Sequence, residues 1–147
     1  RYQQHATYNQ HTDYVFIHDG ARPFVTEEIL KRTKEEVLKF QACVVGMPSK
    51  DTVKIADENG MVEETPKRSR VWSIQTPQAF SYDLIKKAHE CARAHCMDEI
   101  TDDAMVIEAY TQVPVRLVQG SYENIKITTP DDLLVAEKNL EKIYKRY

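Results

Sequence analysis

The sequence predicts a single α/β sandwich domain with a mostly parallel sheet and a β-hairpin arm projecting from it. Three observations lead there. Short runs of β-formers alternate with amphipathic helical stretches, at the connection lengths of strand-helix-strand units. One segment, DTVKIADENGMVEET from Asp51, breaks that alternation with two alternating runs joined across Asp57, Glu58, Asn59 and Gly60, the Asn-Gly signature of a hairpin turn. Charged and hydroxyl residues also gather where strands hand over to loops, the edge at which open α/β sheets bind ligands.

Each element has its own reason. DYVFI (13–17) reads as a buried strand that runs into the polar stretch HDGARPF. Thr26 caps the following helix, Glu27 and Glu28 sit in its first turn, and Ile29, Leu30, Val37 and Leu38 form its apolar stripe. ACVVGMP (42–48) is a second apolar strand. The hairpin after it is too polar for a sheet covered on both faces, so residues 51–70 are expected to project as an arm that lies against something else. VWSIQ (71–75) returns as a strand and ends at TPQAF. Ser81 is positioned to cap a helix through Leu84, Ile85, Ala88 and Ala92, and Thr101 a shorter one through Ala104, Val106 and Ile107. VPVRLVQ (113–119) and NIKIT (124–128) are expected strands. Thr129, Pro130, Asp131 and Asp132 open a last helix carrying Leu133, Leu134, Ala136, Leu140 and Ile143.

Composition narrows the function. With 147 residues, 41% hydrophobic and 29% charged, the chain can bury a core as one soluble domain. A formal charge of −3 argues against a nucleic-acid binder that works by overall electrostatics, while leaving small phosphorylated ligands open. No apolar run approaches the ~20 residues that span a bilayer. Cys43, Cys91 and Cys96 are odd in number and lack CxxC spacing, as expected of reduced thiols in a cytoplasm. The chain opens at Arg1 without methionine, and Tyr2 to His11 is polar and poorly patterned, as expected of a start cut inside a longer protein.

Four clusters sit where strands or the arm meet loops: Asp19 with Arg22, Asp51 with Thr52, Lys67 with Arg68 and Arg70, and Lys126 with Thr128. Singly, each has a plain structural reading: a loop ion pair, the solvated base of an arm, a lysine snorkelling to a sheet edge. Together, one carboxylate among several cations suits phosphate, with a divalent metal on the acid. His18 is placed to orient Asp19, whereas His89 and His95 lie on a helix expected to face them to solvent. With Cys91 and Cys96 those two do not converge on a tetrahedral zinc site. There is no nucleophile elbow and no Walker motif.

Five blocks in order, HDGARPFV (18–25), DTVK (51–54), KRSRVWSIQTPQAF (67–80), TDDAMVIE (101–108) and GSYENIKITTPDDLLVAE (120–137), resemble the 2-C-methyl-D-erythritol 4-phosphate cytidylyltransferases of non-mevalonate isoprenoid biosynthesis. The resemblance implies a Rossmann-like three-layer sandwich and a homodimer in which the β-arm crosses to the other subunit. It implies transfer of CMP from CTP to methylerythritol phosphate, with Mg²⁺ and release of pyrophosphate. By motif, Arg68 and Lys126 match the residues that position the substrate phosphate. Thr52, Arg22 and Thr76 match further substrate contacts, with Thr52 and Arg68 delivered from the partner's arm. Asp19 matches an acid near substrate and metal. The family's glycine-rich CTP loop lies before the first residue, and the four glycines of this chain offer no substitute, so the expectation is either a carboxy-terminal portion of the enzyme or a chain without turnover. The role of Glu123 stays open. Two alternatives remain at this point: a sister enzyme acting on ribitol phosphate, or a non-catalytic dimerisation and ligand-binding module.

Overall fold

A computed structural model describes residues 13–95 and 100–145; Tyr2 to His11 and Cys96 lie outside the described residues. Strand β1 (Tyr14–Ile17) is followed by helix α1 (Glu27–Phe40), strand β2 (Ala42–Pro48), the short arm strands β3 (Ile55–Ala56) and β4 (Val62–Glu64), and strand β5 (Trp72–Ser81). Helices α2 (Tyr82–Ala94) and α3 (Asp103–Tyr110), strand β6 (Arg116–Gln119) and helix α4 (Pro130–Tyr144) complete it. The main sheet has the order β1-β5-β2-β6. β5 is antiparallel to both neighbours while β2 and β6 are parallel, so three of the four strands point one way.

Side-chain alternation along β2 explains the layers. Ala42 and Val44 join Phe80 in a cluster closed by α2 and α3, whereas Cys43 and Val45 join Ala79 and Val118 under α1. Helices therefore cover both faces, giving the expected three-layer sandwich, and β2, buried over Ala42 to Met47, is its central strand. Deep burial pushes the Cys43 thiol up to about 12, so it behaves as a small core hydrophobe.

Several expected details are different. Leu30 and Leu38 are exposed, and Thr33 fills the inner face of α1 instead, its hydroxyl donating to the Ile29 carbonyl. Ser81 precedes α2 but makes no side-chain cap, and α3 is capped by Asp102, not Thr101, because the Asp102 carboxylate stands one residue closer and reaches the Met105 amide at 3.0 Å. Pairing of β6 starts only at Arg116, after Pro114, which has no N–H for a ladder. Residues 124–128 are not a strand: their one backbone bond to the neighbouring loop runs from Ile127 to Ala21. His89 does not simply face solvent, since its Nε2 meets Asp103 Oδ1 at 2.9 Å and ties α2 to α3.

Helix α4 begins as the sequence requires. Thr129 and Asp132 form a reciprocal capping box with Pro130 at the first position. The Thr128 and Thr129 amides, then the Thr129 and Thr128 hydroxyls, hydrogen-bond the Asp132 carboxylate and hold its pKa down at about 2 from the usual 3.8. A depressed carboxyl stabilises the fold above its unfolded value and loses that contribution as pH falls through the folded one. Acid titration followed by NMR is expected to move the Thr128 and Thr129 amide protons with a midpoint near about 2; a midpoint near 3.8 would mean the box is open.

The arm is exposed along both strands, and its turn closes through Asp57, whose carboxylate accepts from the Asn59 and Met61 amides, with Gly60 at φ +79°. That left-handed backbone is why glycine stands there.

Candidate active site at the strand ends

Where β1 stops, the chain turns, with the Arg22 amide donating to the Asp19 carbonyl at 3.0 Å. The Asp19 carboxylate then collects two cations on the same oxygen: Arg22 Nε and Lys126 Nζ each lie 3.2 Å from Oδ2. Arg22 spends a further donor, Nη1, on the Asn124 carbonyl at 2.8 Å. With its side chain 12% exposed against 47% for Lys126, Arg22 is a fixed strut, while Lys126 stands at the mouth and can leave Asp19 for an incoming anion. Burial pushes the Asp19 carboxyl up, but hydrogen bonds from Lys126 and Arg22, with their charges, outweigh it and hold the pKa below its ordinary value.

The second wall comes from an irregularity in β5. Val44 pairs with Gln78 and Gly46 with Ile74, so Gln75, Thr76 and Pro77 all stand opposite Val45 alone. Such a bulge re-aims side chains. It sends Gln75 and Thr76 toward the cleft beside Asp19. The Thr76 hydroxyl accepts from the Asp19 amide at 3.0 Å and meets His18 Nδ1 at 2.9 Å. His18 Nε2 lies 3.0 Å from the Arg22 carbonyl, which can only accept, so in the neutral ring Nε2 carries the proton and Thr76 donates to Nδ1. His18 thus orients Thr76 as well as the loop that carries Asp19.

A loop after β6 locks this wall. Asn124, fully buried, donates from Nδ2 to the Thr76 carbonyl at 2.9 Å and to Gln75 Oε1 at 3.2 Å, and Gln75 in turn donates to the Ser121 carbonyl at 2.8 Å. The loop passes so close that a Cβ on Gly120 would fall 2.5 Å from Gln75 Oε1 and 2.6 Å from a Val45 methyl. On the far side Gln78 bridges Asp102 and the Ala104 amide, bringing the first turn of α3 to the rim.

Asp19, Arg22, Thr76 and Lys126 therefore line one cleft of about 390 Å³, together with Gln78 and Asp102. Thr52 and Arg68 are not brought to it. Both are exposed at the base of the arm, where Arg68 Nη1 lies 3.4 Å from the Lys50 carbonyl. Glu123 lies 4.0 Å from Lys142 and has a structural partner. Sequence reasoning did not single out Gln75, Gln78, Asp102 or Asn124, because isolated amides and a helix-cap acid carry no compositional signal. Among the described residues no three His, Cys, Asp or Glu side chains group to hold a metal. Of the acids that line the cleft, Asp19, held below its ordinary pKa by Lys126 and Arg22, could lend one oxygen to a magnesium ion whose other oxygens come from ligand phosphates and water.

A three-layer α/β fold with a cation-lined cleft at its strand ends, and a carboxylate holding those cations in place, is an arrangement chemically suited to small phosphorylated ligands. The family model for 2-C-methyl-D-erythritol 4-phosphate cytidylyltransferase (IspD) matches residues 4–142. The chain belongs to that family. The 2-C-methyl-D-erythritol 4-phosphate cytidylyltransferase of Lachnoclostridium phytofermentans is 47% identical over 131 residues, 89% of this chain and 56% of that protein. Among solved structures, 4-diphosphocytidyl-2C-methyl-D-erythritol synthase from Anaerococcus prevotii superposes with a TM-score of 0.86 at 39% identity, covering 92% of this chain and 62% of that one. The 2-C-methyl-D-erythritol 4-phosphate cytidylyltransferase of Thermus thermophilus follows at 0.76 and 35%, covering 87% and 62%. The chain spans little more than half the length of the curated relatives it matches.

Proposed function

We propose that this chain supplies the sugar-phosphate half of a cytidylyltransferase that, at its native length, transfers CMP from CTP to 2-C-methyl-D-erythritol 4-phosphate. The observation that carries the reading is the half-exposed Lys126 poised on Asp19, beside the rigidly held Arg22, in the cleft at the strand ends. A phosphate monoester has a second pKa near ~6 and is already largely ionised at neutral pH, so its oxygen can attack without a strong general base. The difficulty is bringing one anion against another.

Fixed cations lower that barrier by positioning and charge neutralisation. Lys126 turns from Asp19 to the substrate phosphate. Arg22 keeps the loop and Asp19 rigid, and Thr76, its proton engaged by His18, accepts a hydrogen bond from a substrate hydroxyl. The attacking phosphate oxygen forms the new bond to the α-phosphorus of CTP, and the bond to the bridging oxygen of the β-phosphate breaks, releasing pyrophosphate. Asp19 is the residue that would hold Mg²⁺ with phosphate oxygens, the ion supplying further charge neutralisation. In this reading the protein is a cytoplasmic homodimer, and the partner's Arg68 and the partner's Thr52 arrive on the arm to complete the cleft. No helix among the described residues is long and apolar enough to cross a membrane.

The test is pyrophosphate release by the native-length protein with CTP, Mg²⁺ and methylerythritol phosphate, run beside ribitol phosphate. Turnover with the first and at least about ten-fold lower kcat/KM with the second is expected, a preference of about 1.4 kcal/mol. Turnover favouring ribitol phosphate, or none with either, would overturn the assignment.

A further inference from the structure

Within one chain, Tyr122 links the loop beside the cleft to the root of the arm. Tyr122 is 45% exposed, and it sits two residues before Asn124 and four before Lys126, on the loop that locks the cleft wall. Its hydroxyl does not point to the cleft. It donates to the Pro48 carbonyl at 2.8 Å, at the end of β2 where the chain departs for the arm. Its ring carries the Lys50 ammonium 3.8 Å from the centroid. The carbonyl of that same Lys50 is the acceptor 3.4 Å from Arg68 Nη1, and the neighbouring Ser49 amide donates to the Val71 carbonyl at 2.9 Å, so both roots of the arm meet here.

We propose that Tyr122 is a positioning residue that sets the angle at which the arm leaves the body and thereby aims Arg68 at the other subunit's cleft. The inference rests on the crossed-arm reading given above. Its physical content is that a β-arm exposed along both strands has no packing of its own to fix its direction, so direction is set at the root. At the root, Tyr122 grips Pro48 through a hydrogen bond and Lys50 through a cation-π contact. Arg68 then draws on Lys50, and a rotation of the root by a few degrees displaces it from a phosphate that must be met to within about an ångström.

This arrangement makes an unusual demand: Tyr122 lies on one subunit's loop but serves the other subunit's reaction. The native-length Tyr122→Leu and Lys126→Ala variants are co-expressed with different tags, and mixed dimers are compared with each homodimer. Both homodimers are expected to be impaired, Tyr122→Leu by about ten-fold in kcat with KM for CTP unchanged. In the mixed dimer, the cleft that retains Lys126 receives the arm whose root retains Tyr122. A randomly mixed population, half hybrid with one working cleft in two, therefore recovers about a quarter of the parent's turnover. No recovery would show that Tyr122 acts on its own cleft and would overturn the proposal. A parallel mixture of Arg68→Ala with Lys126→Ala tests the crossed arm itself: recovery there without recovery for Tyr122→Leu sinks only the role of Tyr122, and failure of both sinks the crossed-arm reading. Tyr122→Phe, which keeps the ring under Lys50 and loses the bond to Pro48, is expected to fall between parent and Tyr122→Leu. Parent-like turnover of the Tyr122→Leu homodimer would also end the idea.

Discussion

Replacing Lys126 by alanine in the native-length protein is expected to lower kcat about 10²- to 10³-fold, the loss that follows removal of one preorganised charge from a developing anionic centre. Stability should hardly change. The Lys126 to Asp19 contact is half exposed, and pairs of that kind contribute roughly 0–1 kcal/mol. Lys126→Arg is expected to fall short of the parent, because a planar fork does not offer the point charge that the proposed mechanism moves between Asp19 and the phosphate. Steady-state kinetics beside urea denaturation separates the two effects. A variant that unfolds at lower urea yet keeps its turnover would assign Lys126 to the fold.

Asn124→Asp should give the opposite profile, a loss of about 3 kcal/mol or more in unfolding free energy. Asn124 is fully buried and donates both to a carbonyl that cannot turn away, that of Thr76, and to Gln75. A carboxylate there sets acceptors against acceptors and buries a charge. Gln75 could reverse its amide, but only by releasing the Ser121 carbonyl it now serves. The urea midpoint is expected to fall well below that of Lys126→Ala; equal midpoints would mean that the loop is not held through Asn124.

The contrast between these two residues shows what could be read in the sequence. Lys126 was legible because a lysine within the apolar pattern NIKIT needs a reason, and the same holds for Asp19 and Arg22 after DYVFI. Asn124, two residues earlier, was not: at the head of an expected strand an asparagine carries no signal of burial, which here depends on the bulge in β5 that brings the Thr76 carbonyl within 2.9 Å. That bulge was hidden because Pro77 reads locally as the end of a strand, yet β5 continues past it through Ser81. Residues 124–128 failed in the other direction. Ile125 and Ile127 alternate like a strand, but the Ile127 amide reaches the Ala21 carbonyl of the neighbouring loop while the Ile125 amide turns back to the Glu123 carbonyl, so the segment does not join the sheet. Local pattern located most strands, helix starts and the arm; contacts made between residues far apart in the chain, such as Gln75 to Ser121 and Arg22 to Asn124, assemble the cleft.

The leucines at 30, 38, 133, 134 and 140 follow the same lesson. Their helical spacing reads as an apolar stripe, but all five are exposed, and Thr33 and Asn139 take inner positions that hydropathy alone assigns to neighbours.

The account rests on cations from two subunits meeting over one phosphate, and the turnover of a mixed dimer measures that directly. Arg68→Ala and Lys126→Ala homodimers should each be nearly inactive, whereas their random mixture should regain about a quarter of the parent's rate, because one cleft in the hybrid holds both cations. A mixture as inactive as its two components would place Arg68 and Lys126 in the same subunit's cleft, or Arg68 in none, and contradict the account.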